Sequence, residues 1–262
     1  MIPRLQLFEI EDSPLLPSLI RDMMTEYLHW VMHVSGPYDQ AASRIALLLR
    51  AAGTTRVIDL MSGAAGPWPR LVPLVTAALG AVPQVTLTDL HPNHGAFARA
   101  EQESEGAIRG RREPVDATAV PAELVGVRTM FTGLHHLSPD QVRALMRDAA
   151  TQRQPFLSFE LTRRSVPGVL LMLASVFLVL VSAPFIRPFR LERLVLTWVL
   201  PLLPLCIVWD GVVSALRTYT RDELLAFATD VASDGYAWEV GQVQSASTPM
   251  GVTFLIGQLI ED

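Results

Sequence analysis

Apolar and polar residues alternate along this chain with two different periods. Over 14–34 and 38–52 the apolar positions recur at three- and four-residue spacing, which predicts two helices, the second stopped by Gly53. The run RVIDL at 56–60 is short, apolar and followed by small residues, as a buried strand should be. Helical spacing returns at 67–79, with Pro67 near the first turn, and at 93–105; strands are expected at 84–89 and in a segment ending near Val115 and Asp116. A fourth strand at 127–132 precedes a helix from Ser138, a suitable N-cap, to Ala150. A fifth strand covers 155–161. Thr220 and Glu223 form a capping box that opens a helix to about Ala232, and strands at 236–243 and 251–259 close the chain. Strand and helix in alternation predict an α/β sheet with helices on both faces.

The pattern breaks once. From Ser165 to Ile186 there are 22 residues without a charge, and Leu194–Trp209 is a second apolar run interrupted by Pro201 and Pro204. The first run is long enough to cross a bilayer. A transmembrane hairpin would have to carry the connection RPFRLER (187–193) across, with Arg187, Arg190 and Arg193, against the positive-inside tendency. A monotopic or re-entrant pair of helices avoids this, with the arginines among lipid headgroups. A dimer interface and a buried helical cap are the other readings. Residues 165–209 hold 31 hydrophobic residues out of 45, so the 50% hydrophobic content and the mean hydropathy of +0.32 blend an ordinary domain with one oily segment. The expected organisation is N-terminal helices at 1–53, a core at 54–164 and 210–262, and the apolar helical insert at 165–209.

Charge and composition then remove several chemistries. All 21 basic residues are Arg, which excludes a Schiff-base or P-loop lysine. A net charge of −5 argues against a nucleic-acid-binding surface over the whole protein. The single cysteine, Cys206, excludes an intramolecular disulfide and a cysteine-built zinc site, and no His, Asp and Glu cluster has metal-ligand spacing. The N-terminus lacks a signal-peptide pattern, so the chain is expected to stay in the cytoplasm, peripheral or monotopic on the inner membrane face.

Ligands of open α/β sheets bind beyond the carboxyl ends of the strands. The turn after the first strand, DLMSGAAG (59–66), is rich in small residues, and Asp89 ends the second strand, where an acid can accept ribose hydroxyls. With VIDLMSGAAG (57–66), TDLHP (88–92), VDATA (115–119), TMFTGLHH (129–136) and the strand at 156–161, the chain resembles the class I S-adenosylmethionine-dependent methyltransferases. The resemblance covers about residues 40–161 and 210–260 and implies a Rossmann-like seven-stranded sheet whose last strand inserts antiparallel. It implies that Asp59, Met61, Ser62 and Gly63 meet the methionine part of the cofactor, Asp89 and Leu90 the ribose and adenine, Asp116 and Ala117 the adenine edge, and that Thr132 and Gly133 lie beneath. The family pattern has glycine where this chain has Met61 and Ala65, and these departures bear on the path of the loop.

Methyl transfer to a weak nucleophile needs a base, and His135 and His136, just past the fourth strand, are the candidates. Tyr27, Trp30 and His33 on the first helix, Glu160 at the end of strand five, and Asp210 and Arg217 after the insert are candidates for acceptor contacts, each with a structural alternative in core packing or ion pairing. The function expected is methyl transfer from S-adenosylmethionine to a hydrophobic small molecule or lipid at the membrane, with a homo-oligomer possible. The alternatives are a non-catalytic membrane- or partner-binding module on the same fold, and a nicotinamide oxidoreductase. The latter wants a G-x-G-x-x-G triplet that this chain does not have.

Overall fold

The structure is a computed structural model that describes residues 2–13, 15–245 and 248–260. The chain divides into two units: Gly36–Leu161 with Thr220–Asp262, which contains the sheet, and Met1–Ser35 with Thr162–Tyr219, which is helical.

The sheet unit has seven strands in the order β3-β2-β1-β4-β5-β7-β6, with β1 at Arg56–Asp59, β2 at Gln84–Leu87, β3 at Ile108–Gly110, β4 at Val127–Phe131, β5 at Phe156–Glu160, β6 at Tyr236–Ser245 and β7 at Thr248–Leu259. β1 to β5 run parallel, and β7 enters antiparallel between β5 and β6. The order reverses between β1 and β4, which makes that position the switch point where ligands of such sheets bind. β4 and β5 are buried at every residue, which explains their unbroken apolar runs.

Helices of this unit are set by local signals. α2 (Ala41–Ala51) buries Ile45, Leu48 and Leu49, and α3 (Trp68–Leu79) ends at Gly80 in the left-handed conformation. The Asn93 side chain caps α4 (His94–Glu103). Capping boxes from Ser138 and Thr220 open α5 (Pro139–Thr151) and, later in the chain, the helix Arg221–Asp230.

The helical unit contains α1 (Ser18–Ser35), α6 (Val166–Ser182), the short α7 (Leu191–Leu194) continued by a π-helical turn at Val195–Val199, and α8 (Leu202–Arg217); Arg221–Asp230 of the sheet unit is then α9. Its core joins Met23, Met24 and Tyr27 of α1 to Val179, Ile186, Leu203, Cys206 and Ile207. Among the described residues no single helix is long and apolar enough to cross a bilayer; Leu191–Val199 and Leu202–Arg217 pass on length and composition only as a pair bent by 78°.

Four expectations differ from this structure. The first helix begins at Ser18, and residue 14, its expected start, lies outside the described residues. The third strand is Ile108–Gly110 and does not reach 115–116, because its partner β2 ends at Leu87; the chain then runs on to place Val115, whose N–H donates to the Asp89 carbonyl at 2.9 Å. The second helix belongs with the sheet and not with the first helix. Gly36, at φ +55°, turns the chain between them, and α2 packs on α3. The insert does not end at 209 either. α8 continues to Arg217, and Gly211 sits inside it, packed against Met172 of α6.

Candidate functional site

Asp59, the last residue of β1, lies opposite Thr129 of β4 in the parallel register. That pairing brings the Thr129 hydroxyl to donate to Asp59 Oδ1 at 2.6 Å, while the Ser62 hydroxyl donates to Oδ2 at 2.7 Å. The carboxyl is 1% exposed. Burial pushes its pKa up to about 6, against the downward pull of the two hydroxyls.

The loop that follows is fixed from both sides. The Ser62 N–H donates to the Thr88 carbonyl at 3.0 Å, and the Thr88 hydroxyl donates to the Asp59 carbonyl at 2.8 Å. Met61 (φ 55°), Gly63 (φ 51°), Ala65 (φ 75°) and Gly66 (φ 50°) are all left-handed. Met61 and Ala65 therefore hold conformations that favour glycine. The departures from the family pattern leave a glycine-like backbone at both positions.

Asp89 closes the turn after β2. Its Oδ2 accepts the Gly63 N–H and its Oδ1 the His91 N–H, both at 2.9 Å. An ionised carboxylate offers about four lone-pair sites, so this half-exposed group has acceptor capacity beyond those two bonds. Leu90 beside it is exposed. Asp116 Oδ1 accepts the backbone N–H and the hydroxyl of Thr118, and Ala117 is buried next to it.

At the end of β4, Thr132 is left-handed (φ 51°), an unusual conformation for a β-branched residue. It is held by its N–H to the Phe159 carbonyl at 2.7 Å and by a hydrogen bond between its hydroxyl and that of Tyr38. Burial raises the pKa of the Tyr38 hydroxyl, so it stays protonated. A short 3-10 turn at Leu134–His136 follows Gly133. Glu160, at the end of the adjacent β5, accepts the Leu134 N–H on Oε1 at 2.7 Å and meets His135 Nδ1 on Oε2 at 2.8 Å. Both His135 and Glu160 are buried, and the half-buried His136 ring lies 4.3 Å from that of His135. The network sets the tautomer. A carboxylate only accepts, so toward an ionised Glu160 the His135 ring donates through Nδ1. The sheet thus joins Asp59, Met61, Ser62, Gly63 and Asp89 at the ends of β1 and β2, and Thr132, Gly133, His135 and Glu160 at the ends of β4 and β5. The third turn contributes Asp116.

The remaining candidates lie in the helical unit. Tyr27 is part of its core, with Trp30 packed against that core. His33 is exposed, 6.4 Å from the His29 ring. Asp210 accepts the N–H groups of Ile10 and Glu11 at 2.6 and 2.9 Å, and Arg217 pairs with Glu9 at 3.0 Å and Asp12 at 3.3 Å. Asp210 and Arg217 therefore fasten the N-terminal segment along α8. Glu160, in the sheet unit, meets His135 Nδ1 at 2.8 Å.

Sequence reasoning missed Tyr38 and Thr129. Tyr38 stands in the turn before α2, where helical periodicity hides it, and Thr129 reads as an ordinary strand residue until the β1–β4 register is known.

No family model matches the chain, and no curated protein matches it. Solved structures do. The mitomycin 7-O-methyltransferase MmcR is 15% identical over 85% of this chain and 54% of its own, with a TM-score of 0.50. The O-methyltransferase NcsB1 from neocarzinostatin biosynthesis, in complex with S-adenosylmethionine and 2-hydroxy-5-methyl naphthoic acid, is 15% identical over 92% and 58%, at 0.52. The plantazolicin methyltransferase BpumL, in complex with SAH, is 8% identical over 93% and 98%, at 0.51. The chain spans little more than half the length of the first two. The chain has the class I methyltransferase fold.

Proposed function

We propose that the protein transfers a methyl group from S-adenosylmethionine to a hydroxyl of a hydrophobic small molecule or lipid, presented at the inner surface of a membrane. The observation that carries this reading is the His135–Glu160 pair at the carboxyl ends of β4 and β5, in the same sheet that sets Asp59 and Asp89 about the loop after β1. The fit to the cofactor rests on chemistry. A sulfonium nucleoside with an α-amino group is cationic and carries a ribose. Asp59, Asp89 and Asp116 offer carboxylates, and a Cβ at Gly63 would meet nothing within 4 Å, so the loop is open to a ligand. When bound, the sulfonium supplies an electrophilic methyl group.

The chain's own part is to orient and to move a proton. Glu160 fixes the His135 ring through Nδ1, so Nε2 is the atom that accepts the acceptor's hydroxyl proton as the new carbon–oxygen bond forms and the methyl–sulfur bond breaks. The Tyr38–Thr132 bond and the Leu134 N–H to Glu160 hold the turn that carries His135. Of the acceptor candidates, Glu160 is thereby assigned to His135. The NcsB1 and BpumL structures, in complex with S-adenosylmethionine and SAH, support the cofactor, and NcsB1 being an O-methyltransferase supports a hydroxyl acceptor. The glycine-like path of the loop at Met61 and Ala65 weighs against a non-catalytic relic of the fold.

Calorimetry with S-adenosylhomocysteine tests the first half. Micromolar binding that Asp89→Ala weakens at least about tenfold is expected; no binding, or an Asp89→Ala variant equal to wild type, sinks the reading. Transfer of labelled methyl from S-adenosylmethionine into a lipid extract, lost in His135→Ala, tests the second.

A further inference from the structure

Helix α6 is inside out. Leu170, Leu173, Phe177 and Val181 share one face at helical spacing, and all four are exposed, Phe177 by 70% and Val181 by 66%. The opposite face carries Gly168, Ser175, Val179 and Ser182, and Gly168, Val179 and Ser182 are buried. The two hydroxyls bond within their own helix, Ser175 to the Met172 carbonyl and Ser182 to the Val179 carbonyl. A surface helix in water has the reverse pattern. The bent element that follows repeats the theme: Val199 and Leu200 at its elbow are exposed by 72% and 60%, with Leu205 just beyond. Backbone donors at the elbow are satisfied internally, Leu200 N–H by the Val195 carbonyl and Leu202 N–H by the Leu200 carbonyl, and Pro201 has none.

We infer that α6 and the elbow of the bent pair form a single-leaflet insertion face for an anionic lipid bilayer. This deepens the membrane part of the proposed function and is independent of methyl transfer. Four observations select the occupant. The apolar stretch is bracketed by Arg163 and Arg187, both exposed, and a helix lying in the membrane plane puts both among phosphate headgroups. A span is disfavoured, because α6 has 17 residues, about 25 Å of helix, and the chain on both sides of the insert returns to the same sheet unit. A second copy of the chain is disfavoured too. Packing α6 on its twin, parallel or antiparallel, brings arginine-bearing ends together in either orientation. The helical unit carries eight Arg against seven Asp and Glu, whereas the sheet unit carries thirteen against nineteen, so the charge that favours an anionic surface resides in the helical unit.

The test is flotation of the full chain with phosphatidylcholine vesicles, with and without phosphatidylglycerol. Binding that rises with phosphatidylglycerol, and that the exposed-site double variant Phe177→Glu/Val181→Glu lowers at least about tenfold, is expected. Circular dichroism and the urea midpoint establish that the variant folds. Quenching by lipids brominated along the acyl chain should be weaker in Trp198→Phe than in wild type, since Trp198 is exposed next to the elbow. No flotation with either vesicle overturns the inference, as does a dimer in detergent-free buffer that the double variant converts to monomer without any lipid binding. S-adenosylhomocysteine binding measured on the same preparations separates the two proposals: flotation without it refutes only the methyltransferase reading, and binding without flotation refutes this one, together with the membrane clause it deepens, and leaves cofactor binding standing.

Discussion

Asp59 offers a sharp test of the site's electrostatics. Its carboxyl is raised from 3.8 to about 6 by burial. A folded-state pKa above the unfolded value means that the folded chain binds more protons between the two, so stability falls as pH rises through that window. With those two values the ionised carboxylate costs about 3 kcal/mol at pH 8 and about half of that at pH 5. Asp59→Asn removes the titration and keeps the bonds. Its Oδ1 can accept the Thr129 hydroxyl, and its amide can donate to the Ser62 oxygen, because that hydroxyl already has the Asp59 carbonyl as a second acceptor at 2.9 Å. The variant should therefore be at least as stable as wild type at pH 8. Its stability gain over wild type should be larger at pH 8 than at pH 5, by on the order of 1 kcal/mol. Urea unfolding of both proteins at the two pH values measures this double difference, in which other titrating groups cancel. A gain that is equal at both pH values, or a variant less stable than wild type at pH 8, refutes the reasoning.

Other outcomes follow from named contacts. Glu160→Gln keeps an acceptor for the Leu134 N–H but presents an amide N–H to His135 Nδ1, which forces the proton onto Nε2; turnover should fall by about 10³–10⁴, with S-adenosylhomocysteine affinity by calorimetry changed less than about threefold. Asp148→Ala leaves Arg128, 1% exposed and paired with Asp148 at 2.6 Å, as an uncompensated buried charge. It should cost about 3–5 kcal/mol in urea unfolding. Arg153 occupies the left-handed position after α5, with Arg153 N–H to Ala150 and Gln154 N–H to Ala149 closing the helix end. Arg153→Gly should raise stability by about 0.5–1 kcal/mol, the relief of left-handed strain less the added freedom of the unfolded chain.

The sheet was legible because buried parallel strands leave short apolar runs bounded by turn residues, and because Ser138, Thr220 and Gly53 carry local helix signals that act without tertiary help. β3 was not legible: its extent is set by where β2 stops, not by its own three residues. The unit boundary inside 1–53 was misplaced because α1 and α2 look alike in periodicity, and only their partners, α8 for one and α3 for the other, tell them apart. The same holds at the site. His135 and Glu160 were separate candidates 25 residues apart, and the parallel β4–β5 register, Phe131 beside Phe159, makes them neighbours. Asp210 and Arg217 looked like pocket residues for the reason that they are charged and follow an apolar run. Their partners, 199 to 208 positions away near the N-terminus, lie beyond the reach of any sequence window.

The departures from glycine in the loop after β1 then acquire a physical meaning. A left-handed residue with a side chain costs about 1–2 kcal/mol, and such a conformation persists where its surroundings over-determine it. Here they do: Ser62 is tied to Asp59 and Thr88, Gly63 to Asp89, and Thr88 back to the Asp59 carbonyl. The loop is held open by this network and not by a lack of side chains. Met61 adds what glycine could not. Its sulfur lies 3.5 Å from where a Cβ at Gly133 would stand, so the thioether bridges the turn after β1 and the end of β4. The side chain thus fills the gap between the two loops with a soft, polarisable group, beside the turn that carries His135. For the proposed methyl transfer, a strained loop with an apolar wall would keep water from the methyl group, which a binding module has no physical need to do.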